Sequence, residues 1–262
     1  NISLTIMNIQ SIKAFNDNYI WLIKTNEGNL VIDPGESQPV IDYMQQHQLR
    51  LTDILITHHH YDHVGGIVDL RKNIAGKVFG PNNPQIDGLD VQVTEGMLVE
   101  ACGLKFQVLE IPGHTLDHIA YFLADESQPR LFCGDTLFSA GCGRVFEGTP
   151  QQMHASLEKL NAVPANTLVY CAHEYTLANL KFAQTVEPNN PYITEHIEVC
   201  QRQRDGDLPT LPSTMELERK INPFLRCSEI ALRQSLENQT QDAKTMNDVE
   251  IFKYLRAWKD SF

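Results

Sequence analysis

Residues Asp53-Ile-Leu-Ile-Thr57 form an almost wholly apolar run, too short for a helix and too uniform for a strand with one wet face. Such a run predicts a strand buried on both sides. The chain must therefore lay other structure over each face of its sheet. Tyr19–Thr25 and Asn29–Asp33 are further strand-like runs, and Asn26-Glu27-Gly28 between them predicts a hairpin turn. Asp33-Pro34-Gly35 closes the second run, because proline cannot donate to a strand ladder. Strands are also expected at 77–80, 91–94, 104–111, 118–124, 130–134 and 167–172, with a helix at 39–48. Thr149-Pro150-Gln151-Gln152 has a hydroxyl at N-cap, Pro at N1 and Gln at N3, which predicts a capping box opening a helix to Leu160.

The texture changes after about residue 175. Strand patterns vanish, and 177–186, 193–204, 215–220, 228–236 and 248–258 read as helices. Ser213-Thr-Met-Glu216 is expected to form a second capping box. The fold class is therefore α+β. Two sheet layers with helices outside are expected over 1–175, followed by a smaller C-terminal α-helical domain at 176–262. Residues 1–6, ahead of Met7, are read as an expression remnant, with an ordinary N-terminal strand as the alternative.

Composition narrows the function classes. The 262 residues are 42% hydrophobic, enough for a large domain with a smaller companion. Asp and Glu outnumber Lys and Arg by 33 to 21, a formal −12, which argues against a general nucleic-acid binder and leaves room for a local basic pocket. The six cysteines include no C-x-x-C pair, as expected for reduced thiols in a cytoplasmic protein. No apolar stretch approaches the ~20 residues that cross a bilayer, and Asn1–Ile6 lacks the features of a signal peptide. Neither nucleic acid nor membrane is expected as a partner, and the chain is read as a monomer.

The apolar run leads straight into His58-His59-His60-Tyr61-Asp62-His63. Were the strand to continue through His60, His58 and His60 would share a face and His59 would point away. Two imidazoles at that spacing can reach one metal ion. Asp62 and His63 precede Gly65-Gly66, which permits a turn into a helix at Ile67–Asn73, and they can serve a second ion. His114, Asp135 and His173 each follow another expected strand, and strand ends converge on one edge of a sheet. A lone His or Asp at a strand end is usually structural. Yet of the ten histidines only His47, His118, His154 and His196 lie outside these positions, so the clustering points to metal. His59 is read as a bystander, and His118 as packed or hydrogen-bonded behind the ligands. Nitrogen and oxygen ligands suit Zn²⁺ first, and also Fe or Mn. Cys133 is read as a packed thiol.

The pattern Thr57-His58-x-His60-x-Asp62-His63, followed in order by His114, Asp135 and His173, resembles the metallo-β-lactamase superfamily. The resemblance implies an αββα sandwich with its site at one edge of the two sheets. It implies that His58, His60 and His114 hold one divalent ion, that Asp62, His63 and His173 hold another, and that Asp135 bridges them. Hydrolysis would then proceed by hydroxide held between the ions, with Asp62 also a proton acceptor.

Gly141–Thr149, Cys171–Thr176, Asn222-Pro-Phe-Leu-Arg226 and Leu255–Phe262 are similar to the glyoxalase II (hydroxyacylglutathione hydrolase) family, bacterial type, from about Met7 to Phe262. That resemblance implies hydrolysis of S-(2-hydroxyacyl)glutathione thioesters, chiefly S-D-lactoylglutathione, in methylglyoxal detoxification. It places Arg144, Phe146, Tyr175, Arg256 and Lys259 against the glutathione. Arg256 and Lys259, three apart on a terminal helix, share a face and suit a carboxylate; a solvated face is the plainer alternative. Eukaryotic members carry Tyr and Lys where this chain has Phe146 and Arg144. Phe cannot donate the Tyr hydrogen bond, whereas Arg can still hold a carboxylate. The rivals are a single-iron persulfide dioxygenase of the same superfamily, disfavoured by the helical domain and the Arg/Lys pair, and a metal-dependent nuclease, disfavoured by the acidic charge. A β-lactamase and a non-enzymatic metal binder stand further off.

Overall fold

A computed structural model describes residues 7–262; the expectation for residues 1–6 lies outside the described residues. The chain divides into two units. The first runs through Glu110 and takes in Asp117–Gly134; the second comprises Ile111–Leu116 and Asp135–Phe262.

The first unit is built from two sheets. In one, β1 (Asn8–Ala14), β2 (Asn18–Thr25), β3 (Gly28–Ile32), β4 (Asp53–Leu55), β5 (Val78–Pro81) and β6 (Val91–Val93) lie in chain order. β1, β2 and β3 are antiparallel, and β3 to β6 are parallel. The expected hairpin forms, with Thr25 opposite Gly28. The central strand is dry on both faces, as its sequence requires: Ile54 joins Val40 and Met44 of α1 (Ser37–Gln46) in one apolar cluster, and Leu55 is buried as well. The single-turn helices α2 (Tyr61–Val64) and α3 (Ile67–Leu70) follow it.

β7 (Leu98–Ala101), β8 (Leu104–Glu110), β9 (Ile119–Leu123) and β10 (Arg130–Gly134) form an antiparallel meander in the second sheet. Phe106 lies edge-on to Tyr121 and to Phe132, each with centroids 6.3 Å apart, and all three are buried. Two bonds tie the sheets together where β4 ends. The Tyr121 hydroxyl donates to Ile56 O at 2.7 Å, and Ile119 N donates to Thr57 O at 2.9 Å. The strand consequently stops at Leu55 and does not run on to His60.

The second unit carries a short hairpin, β11 (Leu137–Phe138) with β12 (Gly141–Cys142), then α4 (Pro150–Asn161) and β13 (Leu168–Cys171). After these come α5 (Thr176–Val186), α6 (Pro191–Asp205), β14 (Ser213–Thr214), α7 (Met215–Ile221), α8 (Ile230–Glu237) and α9 (Asp248–Ser261). The Thr149 box forms as expected. The second expected box does not. Ser213 sits in β14, paired with β13, and gives its hydroxyl to Glu218, so Thr214 caps α7 by accepting from Leu217 N. An unexpected box, Asn247 with Glu250, opens α9. Leu180, Ala183, Ile193, Cys200 and Ile221 pack as one helical core. No helix of the described residues is long and apolar enough to cross a membrane. Two sheets with their helices, followed by a run of C-terminal helices, agree with the α+β fold class.

Candidate metal centre

In the first unit the candidate ligands stand on a loop and one helical turn. His58 and His60 lie between β4 and α2, and Asp62 and His63 lie in α2. Asp33 organises them. Its backbone is left-handed at φ 53°, a conformation that Asp tolerates better than most residues. Its buried carboxylate accepts Thr57 N at Oδ1 (2.8 Å) and Thr57 Oγ1 at Oδ2 (2.7 Å), and Oδ2 lies 3.0 Å from His63 Nδ1. An ionised carboxylate only accepts, so His63 carries its proton on Nδ1 and its lone pair on Nε2. The single Thr57 hydroxyl hydrogen points at Asp33, so Oγ1 accepts from His58 Nδ1 at 3.0 Å. His58 therefore also has its lone pair on Nε2.

Asn18 Nδ2 donates to Asp62 Oδ2 at 2.9 Å. The chain at Gly35 approaches so closely that a Cβ there would lie 1.9 Å from Asp62 O. His59 turns to Asp117 Oδ1 at 2.9 Å, and His118 stacks on His58 with centroids 4.4 Å apart.

In the second unit His114 follows the Pro112-Gly113 turn, Asp135 precedes β11 and His173 follows β13. All three are buried. His114 Nδ1 donates to Arg144 O at 2.8 Å, which leaves the lone pair on Nε2. That Nε2 lies 3.6 Å from Asp135 Oδ2, and His173 Nε2 lies 3.2 Å from Asp135 Oδ1. A Cβ at Gly143 would fall 2.0 Å from Asp135 O, so only glycine passes there.

These donor sets fit divalent ions. At His63 and His114 an imidazole lone pair faces a carboxylate oxygen, at 3.3 and 3.6 Å. Two acceptors so placed repel each other unless a cation joins them, and borderline N/O sets suit zinc-like ions.

Of the expected substrate residues, Arg144, Arg256 and Lys259 lie about Asp260 in the second unit. Arg256 Nε and Nη2 donate to Asp260 Oδ1 at 3.1 and 2.8 Å, and Arg144 Nε lies 3.7 Å from the same oxygen. Arg256 does not lie on a solvated face. It is buried, with its guanidinium 5.2 Å from the Phe224 ring centroid and Nη1 donating to Cys142 O at 2.8 Å. Lys259 is half-buried with Nζ 5.4 Å from the Phe182 centroid. Burial first, and then the Arg256 and Arg144 charges, hold its ammonium below the usual lysine pKa. Arg144 and Phe146 are exposed, and the Phe146 ring meets His114 at 5.2 Å. Tyr175 stacks on His173, with centroids 4.7 Å apart and planes 5° from parallel.

Sequence reasoning missed Asp33, Asn18 and Asp260. The signal for Asp33 was available: it is a carboxylate at the end of an apolar strand, as Asp135 is, disguised by the Pro-Gly turn after it.

Residues 15–173 match the family model of the metallo-beta-lactamase superfamily, and residues 174–262 match that of the hydroxyacylglutathione hydrolase C-terminus. A Pseudomonas paraeruginosa protein named hydroxyacylglutathione hydrolase is 50% identical over 260 residues, covering 98% of this chain and 100% of its own length. Among solved structures, ETHE1 from Myxococcus xanthus matches with TM-score 0.63 at 26% identity, over 96% of this chain and 99% of that one. The BLEG-1 B3 metallo-beta-lactamase matches at 0.62 and 20% identity over 84% and 99%, a likeness of fold alone. With half its residues shared over nearly its whole length, and both family segments present in order, the chain belongs to the hydroxyacylglutathione hydrolase family of the metallo-β-lactamase superfamily.

Proposed function

We propose that this enzyme hydrolyses S-(2-hydroxyacyl)glutathione thioesters, chiefly S-D-lactoylglutathione to D-lactate and glutathione, and so serves methylglyoxal detoxification. The identity to a relative of that name, sustained through the C-terminal helices, carries the reading. His58, His60 and His114 are assigned to one divalent ion, Asp62, His63 and His173 to a second, and Asp135 to both. Family membership supports this assignment, as do the lone pairs directed onto Nε2 of His58, His63 and His114. When bound, two such ions lower the pKa of water from 15.7 to about 7 and polarise the thioester carbonyl. Zn²⁺ is the first candidate, with Fe and Mn as alternatives.

The chain's own groups do the rest. Asp33 and Thr57 hold protons on Nδ1 of His63 and His58, keeping both rings in the ligating tautomer. Asp62, with Asn18 donating to Oδ2, accepts the proton of the attacking water. Arg256 and Lys259 bind the glycine carboxylate of glutathione, while Arg144, Phe146 and Tyr175 flank the peptide. Residues 1–175 form the catalytic domain and 176–262 the substrate-binding domain, in keeping with family segments that meet at 173 and 174. We place the protein in the cytoplasm, in line with six buried thiols, and read it as a monomer.

Metal-loaded protein given S-D-lactoylglutathione should release thiol and carry two ions per chain, and chelation should abolish turnover. Absence of thiol release overturns the substrate; thiol-dependent oxygen uptake with one iron transfers the reading to a persulfide dioxygenase.

A further inference from the structure

We propose that Glu218 and Asn222 form a clasp that positions the Phe138–Cys142 hairpin, and through it Arg256, for recognition of the glutathione carboxylate; the proposal rests on the thioester reading above. The hairpin strands are two residues each, too short to hold their own geometry. Helical side chains hold it instead. The fully buried Glu218 carboxylate accepts Ser139 Oγ (2.7 Å) and Ser213 Oγ (2.6 Å) at Oε1. Its Oε2 accepts Ala140 N (2.8 Å) and Asn222 Nδ2 (3.1 Å). The two Asn222 Nδ2 hydrogens, one of them shared, also reach Phe138 O at 3.1 Å and Gly141 O at 2.9 Å, and Asn179 Nδ2 donates to Ser139 O at 3.1 Å. Every residue from Phe138 to Gly141 is thus gripped by a side chain from α5 or from the α7 segment.

The next residue is Cys142, whose carbonyl takes Arg256 Nη1. The ring under Arg256 is Phe224, whose backbone N–H is capped by Asn222 Oδ1 at 3.1 Å. Asn222 therefore sets both what Arg256 bonds to and what it stacks on, which gives the Asn222-Pro-Phe-Leu-Arg226 stretch a physical purpose. Burial raises the pKa of Glu218 and makes its charge costly. The four donors that converge on the carboxylate offset that cost, so its burial and its grip on the hairpin are one arrangement.

Both groups are positioning residues. Asn222→Ser keeps an oxygen near Phe224 N and drops the carbonyl straps. Glu218→Gln is the conservative variant, because the Ser139 and Ser213 hydroxyls can turn and accept from the new amide. Each variant is assayed on S-D-lactoylglutathione and on S-lactoyl-N-acetylcysteamine, a thioester without glutathione's carboxylates, alongside metal content and amide exchange across 137–142. In Asn222→Ser we expect kcat/KM for the glutathione thioester to fall about tenfold through KM. The small thioester and metal content should hold, exchange across the hairpin should quicken, and Glu218→Gln should resemble wild type. Equal losses on both thioesters, or quickened exchange with unchanged KM, overturn the clasp. Should Asn222→Ser fail to fold, Asn179→Ala removes one strap and must show the same split. A wild-type enzyme inert toward glutathione thioesters sinks the substrate reading instead; the exchange comparison then still tests the grip on the hairpin.

Discussion

Asp33→Asn should change the proton positions of His58 and His63, the two histidines proposed as ligands, without changing the shape of the site. Asn matches Asp in size and tolerates φ 53° equally well. Its amide has one acceptor and one donor end. The acceptor must stay at Oδ1, because Thr57 N–H points there at 2.8 Å and a donor would oppose it. The NH₂ group then replaces Oδ2, facing Thr57 Oγ1 and His63 Nδ1. His63 is driven to accept at Nδ1 and to carry its proton on Nε2. The Thr57 hydroxyl turns its hydrogen toward His58 Nδ1, which moves that ring's proton to Nε2 as well. Both nitrogens assigned to metal become blocked.

A single supporting replacement behind metal ligands weakens binding roughly 10–100-fold, or about 1.4–2.7 kcal/mol. Two rings respond to one change here, so the upper end is expected. The assay is competition with a chromophoric chelator, paired with ¹⁵N spectra of labelled histidine in the metal-free protein, which report the tautomer directly. Affinity within about twofold of wild type, with Nε2 still unprotonated in both rings, would refute the chain of bonds from Asp33 through Thr57 to His58.

Other outcomes follow from the second unit. Arg256→Ala with Lys259→Ala should raise KM about tenfold or more while kcat moves far less; an unchanged KM removes both from the substrate site. Because the Lys259 ammonium is held below the usual value of about 10.4, KM should climb with alkali before an ordinary lysine would titrate, and Lys259→Arg should move that limb upward. The sign for stability follows. A lysine depressed in the folded chain costs stability at low pH and costs less as pH rises toward 10.4, so Lys259→Met should flatten that rise in urea titrations. Thr149→Ala removes an N-cap and half a capping box and should cost about 1 kcal/mol of stability in the same titration.

What the sequence disclosed depended on how local the physics was. The hairpin at 26–28, the dry strand at Asp53–Leu55 and the Thr149 box are decided by neighbours in the chain, and they are where the pattern put them. Whether the strand ran on through His60 was not decided by the segment itself, because its path comes from distant partners: Asp33, 24 residues from Thr57, and Ile119 of the other sheet. Ser213 looked like a cap by spacing. The buried demand of Glu218 drew its hydroxyl away, and nothing local distinguishes Glu218 from the solvent-exposed Glu216 two positions earlier. The same limit applies to Arg256, whose burial depends on Cys142 and Phe224 and not on its own helix.

The net charge of −12 and a substrate with two carboxylates look incompatible only if charge acts globally. At physiological salt, interactions between exposed charges fade over about 8 Å, so the cluster around Asp260 matters more than the total. There, three cations surround one carboxylate, a local excess of two positive charges. Asp260 is bonded mainly to Arg256, and it leaves Lys259 repelled by both guanidinium groups and partly desolvated. An arriving carboxylate relieves that repulsion and strengthens the charged form of the lysine. On the proposed reading, binding there offsets the burial and the guanidinium repulsion that together lower the Lys259 pKa, so the substrate carboxylate and the lysine charge should stabilise each other.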